Sequence, residues 1–132
     1  ERLAQVPLFS KLSKKQLREV SSLATRLDFP AGKELTHQGG IGNELIIVLE
    51  GEVEVQVDGE VVATRGPGDY FGEIALLSDR PRTATVVAKT PVAAEVIGRR
   101  EFSTLVNDVP ELATQLLATM AERLQEDEDF KK

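Results

Sequence analysis

From Glu52 to Thr64 the chain alternates, turns and resumes as a second short run, a pattern that reads as two strands joined by a hairpin. Val53, Val55 and Val57 fall on one side of an extended chain, with Glu52, Glu54 and Gln56 on the other. This period of two marks a half-buried strand. Asp58-Gly59 follows at once, and Glu60-Val61-Val62-Ala63-Thr64 resumes beyond it. A type I′ turn needs positive φ at both central residues, which this dipeptide supplies, so the segment predicts a tight hairpin. Further short strands are expected at Glu34–Thr36, Glu44–Leu49, Thr83–Ala88 and Val92–Ile97. Short strands at such spacing fold as a sandwich or a barrel.

Helical patterns lie on either side. Ser13-Lys14-Lys15-Gln16 has the form of a capping box, and Leu17, Val20, Leu23 and Ala24 then recur at helical spacing. That helix is expected to fade by Arg26, ahead of the turn residues in Phe29-Pro30-Ala31-Gly32. A short helix is predicted from Arg99 to Val106. Asp108-Val109-Pro110-Glu111 then predicts another start, with Asp108 as the capping residue and Glu111 at the capping-box position. Ala113, Leu117, Met120 and Leu124, with Leu112 and Leu116 beside them, form an apolar stripe suited to the strands or to a partner helix. Glu126-Asp127-Glu128-Asp129 puts negative charge where a helix dipole disfavours it, which fits either a longer native helix or a solvated, frayed tail.

Composition narrows the function. The 132 residues suffice for one domain, and a net charge of −6 argues against a surface built to neutralise nucleic-acid phosphates. The longest aliphatic run, Leu45 to Leu49, is far too short to span a membrane. The absence of cysteine excludes disulfides and thiolate chemistry, and leaves the cytoplasm as the default compartment. A single histidine, His37, beside a glycine turn, reads as a solvated loop residue; a metal-dependent enzyme on a small barrel would want several converging on one ion. The only methionine is Met120, so the chain reads as a piece of a longer protein.

One segment carries chemistry: Gly66-Pro67-Gly68-Asp69-Tyr70-Phe71-Gly72-Glu73-Ile74-Ala75-Leu76-Leu77, followed by Arg82-Thr83-Ala84. The glycines allow tight turns and close approach of a ligand. Glu73 to Leu77 suit a single helical turn, whose first amides lack internal partners and therefore suit an anion. Arg82 is placed to meet the same anion with paired, charge-assisted hydrogen bonds. A carboxylate such as Glu73 should face a donor, and a sugar hydroxyl is the natural one. The set matches a small, singly charged sugar phosphate. The plainer readings are a first-turn acid for Glu73 and a surface ion pair for Arg82, and the two residues occurring together with the glycines weighs against both.

Phe71 to Leu77 with Arg82-Thr83-Ala84 resembles the phosphate-binding cassette of cyclic-nucleotide-binding domains, found in catabolite regulators, kinase regulatory subunits and gated channels. Gln38-Gly39 with Gly42, the strand Leu45–Leu49, Glu50-Gly51-Glu52-Val53 and Gly66-Pro67-Gly68-Asp69 extend the likeness from about Val6 to Leu124. Gly40 departs from it, at a turn position where the family often has aspartate. The resemblance implies that Gly72, Ile74 and Ala75 present backbone groups to the ligand. It places Glu73 on the ribose 2′-hydroxyl, Arg82 on the cyclic phosphate and Thr83 near phosphate or base, with Val55 and Val62 as walls beside the base. It also implies a mainly β fold with flanking helices, a jelly-roll β-barrel with an N-terminal helix and a C-terminal helical lid around Leu116 to Met120.

The whole chain, 1–132, is thus expected to be a single domain: a helical segment at 1–25, a barrel at 26–98 with the cassette at 68–84, and helices at 99–132. The expected role is sensing without catalysis, with cAMP favoured over cGMP as ligand and no metal. Binding would be relayed through the terminal helices to an effector domain outside this chain. No direct nucleic-acid contact and no membrane span are expected, and the stripe on the last helix permits a homodimer. The alternative is a degenerate fold of the same kind kept for dimerisation or protein contact.

Overall fold

The computed structural model describes residues 2–72 and 81–131. Two 3-10 turns (Arg2–Gln5 and Pro7–Phe9) precede α1 (Lys14–Leu23). The strands are β1 (Thr25–Phe29), β2 (Glu34–Thr36), β3 (Glu44–Glu50), β4 (Val53–Val57), β5 (Glu60–Arg65), β6 (Tyr70–Phe71), β7 (Thr85–Ala88) and β8 (Val92–Gly98). Two helices follow, α2 (Arg99–Asp108) and α3 (Pro110–Lys131).

The local signals form as read. The Ser13 side chain accepts from the Gln16 amide at 3.1 Å, and Gln16 Oε1 accepts from the Ser13 amide at 2.9 Å, a complete capping box. Asp58 and Gly59 take φ of 53° and 82°, the positive pair that a two-residue hairpin turn demands. Around them β4 and β5 pair from Val53–Arg65 to Val57–Glu60.

Among the described residues eight strands make two antiparallel sheets, ordered β1-β8-β3-β6 and β2-β7-β4-β5. The mainly β body with flanking helices is as expected, but the sheets lie as a sandwich and do not close into a barrel. β1 and β2 follow one another yet belong to different sheets. Pro30, which lacks an N–H, and the turn through Gly32 interrupt the ladder that closure would need.

β3, inside the first sheet, is covered on both faces, which explains the unbroken run Leu45–Val48. Ile46 and Val48 point into the sandwich, with Val92, Ala94 and Val96 of β8 and Val53, Val86 and Ala88 of the second sheet. Leu45 and Ile47 point the other way, into a helical layer built from Leu17, Val20, Phe102, Leu105, Leu112 and Leu116.

Several details differ from the sequence reading. α1 stops at Leu23, and Ala24 is already extended at ψ 152°, because Thr25 to Phe29 pair with Val96 to Val92 of β8. β7 begins at Thr85, leaving Thr83 and Ala84 as a bend. Asp108 belongs to the last turn of α2, so it does not cap the next helix; buried Val109 makes the corner, and Glu111 Oε2 accepts from Gln16 Nε2 at 3.1 Å. On α3 the core ridge is Leu112 and Leu116, while Leu117 is 63% exposed.

Candidate functional site

Two strand ends bring the candidate residues together. β6 leads into Gly72, and the chain returns through Arg82 toward β7. The returning segment is fastened to the turn after β2 by four hydrogen bonds. Gly39 N donates to Arg82 O at 2.9 Å, and Arg82 N donates to Gly40 O at 2.8 Å. Thr36 Oγ1 donates to Ala84 O at 3.0 Å, and the Gln38 amide donates to Thr85 Oγ1 at 2.9 Å. Thr36 and Thr85 are buried, so the two bonds they make are partly shielded from competing water.

The Arg82 side chain is positioned as firmly as its backbone. Its Nη2 donates to the carbonyl of Glu44, the first residue of β3, at 3.1 Å. The guanidinium lies between two glycines that leave room for it. A Cβ on Gly42 would stand 2.6 Å from Nη2 and 2.8 Å from Nε. A Cβ on Gly72 would run into Nη1 and the Glu44 carbonyl, and Gly72 also has φ of 89°, a region L side chains rarely adopt. This pair of contacts is why glycine is needed at both positions. A planar fork of N–H donors held this way is suited to an oxyanion, because its orientation is set beforehand.

Gln38 ties this assembly to the hairpin. Its Oε1 accepts from the Asp58 amide at 2.8 Å, and its Nε2 donates to Asp58 Oδ1 at 3.0 Å. The turn that holds Arg82 therefore also holds the tip of β4–β5. Neither Gln38 nor Gly42 stood out in the sequence as a functional residue; Gly42 could have been suspected from its place beside Gln38-Gly39.

The remaining candidates divide. Val55 is half-buried against the sandwich core. Val62 is 44% exposed and is the extra residue of a β-bulge, since Val55 pairs with Ala63 and Gln56 with Val61. Thr83 is exposed on the bend next to Arg82. Glu73, Ile74 and Ala75 lie outside the described residues. His37 is exposed in the loop, with Nδ1 3.2 Å from Glu34 Oε1. Leu116, at the start of the segment read as a lid, is buried in the helical layer.

Known proteins resemble this chain in sequence and fold. Residues 26–108 match the family model described as cyclic nucleotide-binding domain. A cAMP-dependent protein kinase regulatory subunit from Emericella nidulans is 38% identical over 109 residues, covering 81% of this chain and 26% of the relative. A cyclic nucleotide-gated potassium channel from Rhizobium etli is 36% identical over 121 residues, 92% of this chain and 34% of the channel. The chain thus spans about a quarter to a third of these relatives. Among solved structures, the Thermus thermophilus catabolite activator protein superposes with a TM-score of 0.85 at 31% identity, covering 92% of this chain and 60% of that one. With the matched model extending over more than half of its length, the chain belongs to the cyclic nucleotide-binding domain family.

Proposed function

We propose that the chain, as a single domain, binds a cyclic nucleotide, with cAMP preferred to cGMP, and acts as the non-catalytic sensor of a larger protein. The observation that carries this reading is the Arg82 guanidinium, seated between Gly42 and Gly72 and hooked to the Glu44 carbonyl. A cyclic phosphate bears one charge and presents two terminal oxygens, the partner a fixed guanidinium fork accepts best. Glu73 takes the ribose 2′-hydroxyl, and Gly72, Ile74 and Ala75 offer backbone groups. Thr83 stands beside the phosphate, and Val55 and Val62 flank the base.

Output follows from differential contacts. A ligand shifts the chain between states only as far as it binds one better than the other. Glu44, which holds Arg82, opens the strand whose Leu45 and Ile47 pack against the helices, so the phosphate site and the helical layer share one element. An effector domain outside the chain reads the placement of those helices. The kinase regulatory subunit and the channel named above support a sensor of this kind, and the cAMP in the first name supports that preference. No direct nucleic-acid contact is proposed, and no described helix is long and apolar enough to cross a membrane. We place the domain in the cytoplasm, and the exposed Leu117 face of α3 is available to a second copy.

Titration calorimetry with cAMP and cGMP in parallel tests this reading, with Arg82→Ala as control. Saturable binding is expected, and the variant should lose about 2–5 kcal/mol, the cost of truncating one partner of a charge pair. A loss below about tenfold removes Arg82 from the phosphate role. No binding of either nucleotide returns the chain to the alternative, a degenerate fold used for protein contact.

A further inference from the structure

Each sheet has two outer strands, and three of the four are blunted in ways that discourage pairing with another chain. β6 has two residues and β2 has three, while β5 carries the bulge at Val62. β1 has none of these protections. It runs five residues in unbroken register with β8, four of them are exposed, and Leu27 at its centre is 42% exposed.

Charge on β1 is self-complementary. Arg26 and Asp28 flank Leu27 symmetrically. In an antiparallel pairing of two β1 strands centred on Leu27, Arg26 of each copy stands opposite Asp28 of the other. Leu27 meets Leu27, and Thr25 meets Phe29. Within one copy Arg26 already faces Glu95 of β8, so the row across the joined sheets alternates in sign: Glu95, Arg26, then Asp28 of the second copy. The flanks agree. A hollow of about 570 Å³ at the Thr25 end has Arg99 and Arg100 on its rim, together with Glu44 and Glu101. One of about 420 Å³ at the Phe29 end is bordered by Asp28, Glu50 and the apolar Pro30 and Pro91. The two-fold axis through Leu27 sets the first hollow of each copy beside the second hollow of the other.

We infer that β1 is a homotypic docking edge, on which a second copy of this chain adds its own β1 to join two four-stranded sheets into one. An isologous contact of this sort closes as a dimer and does not propagate. Five paired residues make less than a standard interface, so the dimer forms at high protein concentration and not at trace levels. The contact requires no ligand, so it stands or falls apart from the proposed sensing role.

Sedimentation equilibrium of the chain up to about 1 mM, the scale of a weak association, provides the test. The unaltered chain should dimerise. R26D and D28R should each weaken the dimer about tenfold or more, because like charges then oppose each other twice. The double exchange R26D/D28R should recover it, and so should an equimolar mixture of the two single variants, which pair as a heterodimer. That recovery cannot come from unfolded variants. A chain that stays monomeric throughout overturns the inference. So do single variants that dimerise as well as the original, or a mixture that fails to recover. A dimer lost in L117E and kept in R26D also overturns it, assigning the contact to α3.

Discussion

Replacing Gly42 by alanine should separate ligand binding from folding. Gly42 is not among the glycines with positive φ, so its backbone tolerates a side chain. The atoms nearest the new Cβ would all belong to the far end of Arg82, at 2.6 Å for Nη2, 2.8 Å for Nε and 3.0 Å for Cζ. Ordinary contact lies near 3.5 Å or beyond, so the guanidinium must retreat by about 1 Å. Arginine is flexible enough to do so at small cost to stability, within about 1 kcal/mol. The donor fork, however, leaves its set position, and a hydrogen bond to a charged group contributes about 1.5–3 kcal/mol. Affinity for the cyclic nucleotide should therefore fall about tenfold to a hundredfold. Gly72→Ala makes the contrast: its Cβ also meets the Glu44 carbonyl, and its φ is 89°, so stability should fall as well as affinity. Calorimetric titration and thermal unfolding of both variants provide the measurements. A G42A chain that binds within threefold of the original would refute the claim that the seating of Arg82 sets affinity.

Other outcomes follow from the same structure. In Gln38→Ala the Asp58 amide loses its acceptor, so its hydrogen exchange should accelerate; unchanged protection would mean that another group holds the hairpin tip. Leu112→Ala removes a fully buried side chain from the helical layer and should cost about 2–5 kcal/mol in urea denaturation, with a loss below 1 kcal/mol refuting that packing role. Glu19 is held above the ordinary 4.5 chiefly by a hydrogen bond with Asp108, then by burial and the Asp108 charge, with Lys15 opposing. Its folded form binds the proton more tightly than the unfolded chain, so stability present below the ordinary value is lost as pH rises through the raised one. Burial raises Glu95, against Arg26, with the same sign. Asp108→Asn should flatten the fall in stability above pH 4.5, and a slope unchanged by that substitution would remove the pair from the account.

What the sequence made legible was local. Ser13 with Gln16 and Asp58 with Gly59 specify their structures through neighbours three residues apart or fewer, and both formed. β1 was not legible, because Thr25-Arg26-Leu27-Asp28-Phe29 lies between a fading helix and a turn and becomes a strand only by pairing with residues about 70 positions away. The corner at Val109 was misplaced for a related reason. Asp108 is a good cap in isolation, but burial of Val109 in the helical layer ends one helix there and lets Pro110 open the next. Arg82 and Gly72 were legible as candidates from residue type and spacing. Gly42 and Gln38 acquire their roles only through contacts with Arg82 and Asp58, which the folded topology supplies.

The two-sided burial of β3 has a consequence for how such chains diverge. Leu45 and Ile47 answer to the helical layer, and Ile46 and Val48 to the sandwich interior, so neighbouring positions on one strand are under separate constraints. Substitutions that adapt the helices can accumulate at the odd positions while the even ones keep the sandwich interior unchanged. A saturation library across 45–48, scored once for ligand binding and once for helical packing, should split by parity. Under the sensing role proposed above, one strand would then let lineages exchange effectors without relearning their ligand.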